Sequence, residues 1–439
     1  MIIRRDYKVS ILILVFFLSV VLIGSNEFQS ESFIKSKGFV PVDKSRFKNG
    51  KPSDELSLRW EKLLNNTCKE IMFNWWSKIQ CDGKEDEYID FGYLENNSKT
   101  GEFGKETLGG IRAPSEYAYV VAVSVLTKTY DSKYIGVQES VAVKRAVTII
   151  KSLAKDHLIN GGINHPWGNQ WQSSQWASKC AIAGWLLWEY LEGKDKENVI
   201  NMIEYEANRF LKVEPPAANE NYLKNTRAEE DGWDADGIQA ACGMLPGNVN
   251  NKRWFEKSIE YRATALASSN DVNSNKLLDG KPVSSLVTGY NIDTLGAVGN
   301  HQVYPHPDYM AASLRHTIEG VLYLSLGNQK IPEANKLNCD LIYQNFVNHK
   351  WNNESCIYRT DGTIYWPIDI ESDRRFEFMT YALADAGGSI LGYDDLANVK
   401  APKWEDLHTE KALELHLTDF TAASAYLLHW LNYQGINFQ

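Results

Sequence analysis

At 439 residues the chain is long enough for two or three average domains or for one large fold. A net charge of −10 with no long basic run argues against nucleic acid as a partner, but a local arginine cluster can still receive an anionic ligand. The 14 Trp, 22 Tyr and 16 Phe supply a large core, and they also suit sugar rings, whose C–H faces stack on aromatic side chains.

Arg4 and Arg5 precede an apolar run, Val9 to Gly24, broken only by Ser10 and Ser19. That run is short for a span of about 20 residues and matches the apolar core of an export signal. Residues 1–30 are therefore expected to be a signal peptide or membrane anchor, with the body secreted or held on the outer face of a membrane. Residues 31–52 are polar and are expected to be a tether, leaving 53–439 as the one folded domain.

Beyond the tether the pattern is helical. Apolar residues recur at spacings of three and four near 55–80, 112–130, 138–157, 175–191, 196–213, 228–244, 250–268, 308–326, 332–348, 374–390 and 416–433. Strand-like alternation is confined to a short candidate around 355–366. Short turns alternate with longer loops carrying Trp, His, Asn and Asp. This predicts an all-α single domain: an (α/α)6-type toroid of helical hairpins with a cleft built by the longer loops. A plain helical solenoid is the competitor, but no repeat recurs at a fixed period. Of the six cysteines, Cys68 with Cys81 and Cys339 with Cys356 are local candidate pairs, whereas Cys180 and Cys242 sit in apolar helical runs as small core residues.

Four polar constellations interrupt the helices. His165–Ala177 (HPWGNQWQSSQWA) is a Trp-rich loop entering a helix; Trp167, Trp171 and Gln172 suit a sugar subsite, while Trp176 continues the apolar stripe. Asn225–Asp236 (NTRAEEDGWDAD) crowds Glu229, Glu230, Asp231, Asp234 and Asp236 at a helix start. Acidic first turns ordinarily complement the helix dipole. Packing carboxylates together, however, raises the pKa of at least one, as a general acid requires. Asn225, Arg227 and Trp233 border this cluster, and Arg227 can bind a substrate carboxylate with two parallel hydrogen bonds.

The third constellation is Asn300–Met310 (NHQVYPHPDYM), in which Pro305 and Pro307 impose an ordered loop ending at a helix start near Asp308. Asn300 can neutralise a carboxylate, and His301, Tyr304, His306 and Tyr309 can move protons. The fourth, Tyr365–Phe378, offers Trp366 for stacking and Arg375 for an anion. There is no GxSxG, HExxH, phosphate-binding or dinucleotide motif. No cofactor is called for, and His408, His416 and His429 do not have the spacing of a metal-ligand set.

WQSSQWA with the following GWLLW, NTRAEEDGWDAD and NHQVYPHPDYM together resemble the (α/α)-toroid carbohydrate-active enzymes, which include uronic-acid polysaccharide lyases and six-hairpin glycosidases. The resemblance spans roughly 110–430 in architecture but only some forty residues in motif. It implies that Asn300 neutralises a uronate while His301 and Tyr304 or Tyr309 handle protons. Gln302 stands where those lyases often have Gly, and their tyrosine usually comes from a more distant segment. The expected activity is β-elimination of an acidic polysaccharide or oligosaccharide. The alternatives are a glycoside hydrolase using Glu230 with Asp231, Asp234 or Asp293, and a non-catalytic glycan-binding surface protein. The membrane would be met only through the N-terminal segment.

Overall fold

The computed structural model describes residues 29–79, 83–91, 110–162, 165–350, 377–394 and 401–438. The leader core, the strand candidate at 355–366, Cys81, Cys356, Trp366 and Arg375 lie outside them. Among the described residues the molecule is all-α apart from one two-stranded hairpin, Leu277–Leu278 with Lys281–Pro282. No described helix is long and apolar enough to cross a membrane.

Twelve described helices have nine residues or more. They are α1 Glu55–Lys69, α2 Arg112–Leu126, α3 Glu139–Asp156, α4 Ser173–Leu186, α5 Gly193–Arg209 and α6 Ala228–Met244. The remainder are α7 Asn251–Leu266, α8 Pro307–Leu326, α9 Cys339–Asn348, α10 Phe378–Ala386, α11 Ala401–Glu414 and α12 Thr421–Tyr433. Each even-numbered helix packs on the next even one, and α12 packs back on α2. Odd-numbered helices lie against these: α3 on α2 and α4, α5 on α4 and α6, α7 on α6, α9 on α8, α11 on α10, and α1 on α12 and α2.

Sequence explains this division. Every residue of α4 and of α8 is buried, so polar residues on those helices must find partners inside the protein. Helices α3 and α5 instead bury one stripe and keep charged residues on the other face. Close approach between inner helices is permitted by Gly243 of α6, where a Cβ would sit 2.6 Å from the Tyr323 carbonyl of α8.

Residues 31–52 are not a loose tether. The Val40 N–H donates to the Met244 carbonyl, and the Val40 carbonyl accepts from the Trp185 indole. Arg46 donates to Ser325 O, and Phe47 packs on Trp430 with ring centroids 4.7 Å apart. Those partners are the C-terminal ends of α6, α4, α8 and α12, so the segment crosses one end of the inner helices. At Gly38 (φ 72°) the chain passes so close to Gly247 that a Cβ would stand 2.1 Å from its carbonyl carbon. Cys68, Cys180, Cys242 and Cys339 are buried free thiols, and Cys81 and Cys356, the other members of the two candidate pairs, lie outside the described residues.

Candidate functional site

The other end of the inner helices carries the polar motifs. The Trp171 ring, just before α4, meets the Trp233 ring of α6 edge-on at 5.1 Å, and the Ser174 hydroxyl donates to the Asp234 carbonyl. Arg315 of α8 lies 3.8 Å from Glu229 at the start of α6. Backbone bonds join the segment before α6 to the loop before α8: Thr226 N–H to Gly299 O at 2.9 Å and Gln302 N–H to Lys224 O at 3.1 Å. Glu377 and Asp419, at the starts of α10 and α12, act electrostatically on Arg315. Several helix N-termini therefore gather at this end, or mouth, of the inner helices, and their dipoles favour negative charge there.

The acidic cluster lies at this end, at the start of α6, with Glu230 and Asp231 buried. Arg227 donates to Glu230 at 2.8 Å, and Asn291 donates to Asp231 at 3.1 Å while its carbonyl oxygen accepts from the backbone N–H groups of Ala218 and Arg227. Burial raises the Asp231 pKa well above the usual carboxylate range, and the charges of Asp234 and Glu230 raise it further. Burial likewise pushes Asp234 far up, against the pull of Arg209, and raises Glu230. Glu229 is pushed up to about 7, chiefly by burial and despite Arg315. One oxygen each of Glu230, Asp231 and Asp234 is buried without a hydrogen-bond partner among the described residues. Carboxyls whose pKa is raised and which are short of partners suit proton donation to a ligand.

The 300–309 loop is built around a strained turn. Asn300 and Val303 exchange both backbone hydrogen bonds, and the Asn300 side-chain oxygen accepts from the His301 N–H at 2.8 Å. Closing that turn puts His301 at φ 50° and Gln302 at φ 68°. Neither is glycine, and such conformations cost of order 1–3 kcal/mol each. The exposed His301 ring then reaches the Tyr309 hydroxyl, Nε2 to Oη 3.1 Å. Tyr309 projects from the first turn of α8, with the buried His306 ring edge-on at 4.8 Å. Pro307 at the first helical position starts α8, as the sequence indicates.

Several expectations are corrected by this geometry. Trp167 is 1% exposed, and its indole donates to Leu153 O, so it is a plug in the packed interior and offers no face to a sugar. Trp171, 41% exposed, does offer one. Gln172 is buried beside it, and Asn225 is half-buried in the turn before α6, where its N–H donates to Asn221 O. Tyr304 donates to Asp293, which raises the phenol pKa further above its burial-shifted value, and Tyr309 is the phenol bonded to His301. Asp293 accepts from the N–H groups of Leu295 and Ala297 as well, so it braces its own loop.

Beneath the mouth lies a charged network that the motifs do not reveal. Asp236 binds Arg262 and His316, each at 2.6 Å, and Lys179 lies 2.6 Å from Glu319. Burial first, then the Arg315 charge, holds His316 well below the usual imidazole range. Neutral His316 accepts from Arg315 at Nε2 and donates from Nδ1 to Asp236. Asp236, His316 and Glu319 are close enough to hold a metal ion, but Arg262 and Lys179 already balance the two carboxylates. Apart from Asp236, which ends NTRAEEDGWDAD, the sequence signal for this network is a charged residue within an apolar helical run, as in ASKCAIAGW and SLRHTIEGVLYL.

Comparison with models of known protein families finds no match, nor does comparison with curated proteins or with solved structures.

Proposed function

We propose that the chain is an exported carbohydrate-active enzyme, secreted or anchored outside a membrane by its first 30 residues, that cleaves acidic polysaccharide or oligosaccharide by β-elimination. The circuit of even-numbered helices within a layer of odd-numbered ones is read as an (α/α)6 toroid, with the mouth as its active-site end. The observation that carries this reading is the His301–Tyr309 pair on a strained turn beside Asn300. Strain of this kind persists where the surroundings over-determine it, commonly at sites of chemistry.

In the reaction, Asn300 and Arg227 hold the uronate carboxylate and favour charge developing on it. His301 takes the C5 proton, and the freed electron pair forms the C4–C5 double bond. The C4–O bond breaks, and Tyr309 returns a proton to the leaving oxygen. The facing helix N-termini support an anionic substrate, and Trp171 offers a ring face to a sugar, with the buried Trp233 packed behind it. The test is incubation with uronic-acid polymers while following the ultraviolet absorbance of an unsaturated product. The unaltered chain generates that signal and His301→Ala does not. Absence of signal from the unaltered chain on every uronate polymer tried overturns the proposal.

A second reading, glycoside hydrolysis, draws on the raised pKa values of Glu230, Asp231 and Asp234 and their unpartnered oxygens. There a protonated carboxyl gives its proton to the glycosidic oxygen, and a second carboxylate activates water or attacks the sugar.

A further inference from the structure

The structure assigns a second carbohydrate contact to three tyrosines, one of them on the loop that carries His301: we propose that Tyr222, Tyr290 and Tyr304 form a platform that receives an uncharged sugar of the bound chain. The Tyr222 ring meets Tyr290 edge-on at 5.7 Å and Tyr304 at 6.0 Å. The three come from separate stretches held together by backbone bonds, Asn219 N–H to Tyr290 O at 2.9 Å and Gly299 N–H to Tyr222 O at 3.0 Å. The Tyr304 hydroxyl is fixed as well, donating to Asp293, and the Glu220 carboxylate acts on Tyr290.

These rings are not core. Tyr304 is 39% exposed and Tyr222 and Tyr290 are partly exposed, so a rigid aromatic surface is presented to water. Exposed aromatic clusters of this kind are contact sites for ligands with apolar faces and polar edges, as sugars have. The charge beside the rings narrows the choice. Asp293 and Glu220 repel a uronate, yet accept hydrogen bonds from hydroxyl or acetamido groups. Tyr304 is three residues from His301 in one loop, so a chain with its uronate at His301 continues onto the platform. The inference rests on the proposed cleavage reading, and it narrows the substrate to polymers in which uronic acid alternates with an uncharged sugar.

The experiment is calorimetric titration of the full chain carrying His301→Ala, which keeps the ligand whole. The probes are a hexasaccharide of alternating glucuronate and N-acetylhexosamine and one of uronate alone. The alternating ligand is expected to bind more tightly, and adding Tyr222→Ala with Tyr290→Ala is expected to weaken it about tenfold, the ratio that 1.4 kcal/mol sets. Equal affinity for the two ligands overturns the assignment to an uncharged sugar. An unchanged Kd in a folded variant overturns the platform. Should that variant fail to fold, tyrosine nitration of the unsubstituted chain decides: the alternating ligand must protect Tyr222 and Tyr290, and absence of protection refutes the contact. Failure of the cleavage reading shows separately, as absence of unsaturated product from the unaltered chain.

Discussion

Replacing Lys179 by Met exposes what the charged interior costs and what holds it. The ammonium is 0% exposed, lies 2.6 Å from an equally buried Glu319, and sits over the rings of Tyr119, Phe420 and Tyr323 at 4.5, 5.1 and 5.7 Å. Methionine keeps nearly the same volume, so a cavity contributes little. The loss comes from leaving Glu319 buried without its cation, with Asp236 and its charge in the same network. Removing one partner of a buried pair costs about 3–5 kcal/mol, and loss of a desolvated cation–π contact of about 2 kcal/mol overlaps with that figure. The measurement is urea unfolding followed by circular dichroism, comparing Lys179→Met with Lys179→Met/Glu319→Leu. The single variant is expected to lose about 3–5 kcal/mol and the double to regain most of it, because removing both members of a buried pair is often close to neutral. A loss below about 1 kcal/mol in the single variant, or no recovery in the double, refutes the reasoning.

Other expectations follow from the mouth. Tyr309→Phe should lower kcat at least tenfold with a folded, ligand-binding protein; retention of full kcat removes Tyr309 as proton donor. Glu229 takes up a proton on folding between the usual 4.5 and about 7, so stability should fall as pH rises through that window. Melting temperatures across it should flatten in Glu229→Gln, which should be the more stable protein above pH 7, and an unchanged slope contradicts the assignment. Asp231→Asn removes the cost of burying that carboxyl, and with it the repulsion from Asp234 and Glu230, while keeping a hydrogen-bonding side chain beside Asn291. It should raise the melting temperature at neutral pH, and a lower one shows that the charged form is needed for structure.

The helical body was legible because most inner helices bury nearly continuous apolar surface and most outer ones bury a stripe. Helix α11 escaped because its buried face is largely polar: Glu405 accepts from the Trp60 indole and bonds His429, while His408 bonds Asp385. Apolar periodicity cannot register a helix held by such pairs. Residues 31–52 escaped because backbone bonds and a few aromatic contacts hold them, and neither leaves a periodic pattern. In the mouth, the loop composition pointed to Asn300, His301 and the acidic start of α6. Composition cannot say which tyrosine turns toward the imidazole, because that depends on the φ > 0 turn at His301 and Gln302. Trp167 and Trp171 read alike in sequence and differ only in which side of the packing boundary each falls.

Cleavage of a uronate oligosaccharide in heavy-oxygen water, with the products weighed by mass spectrometry, addresses elimination directly. Elimination takes no oxygen from solvent, so the account predicts an unsaturated fragment and an unlabelled leaving fragment, both lost in His301→Ala. Solvent oxygen at every new reducing end, with cleavage intact in His301→Ala and abolished in Glu230→Gln, contradicts it.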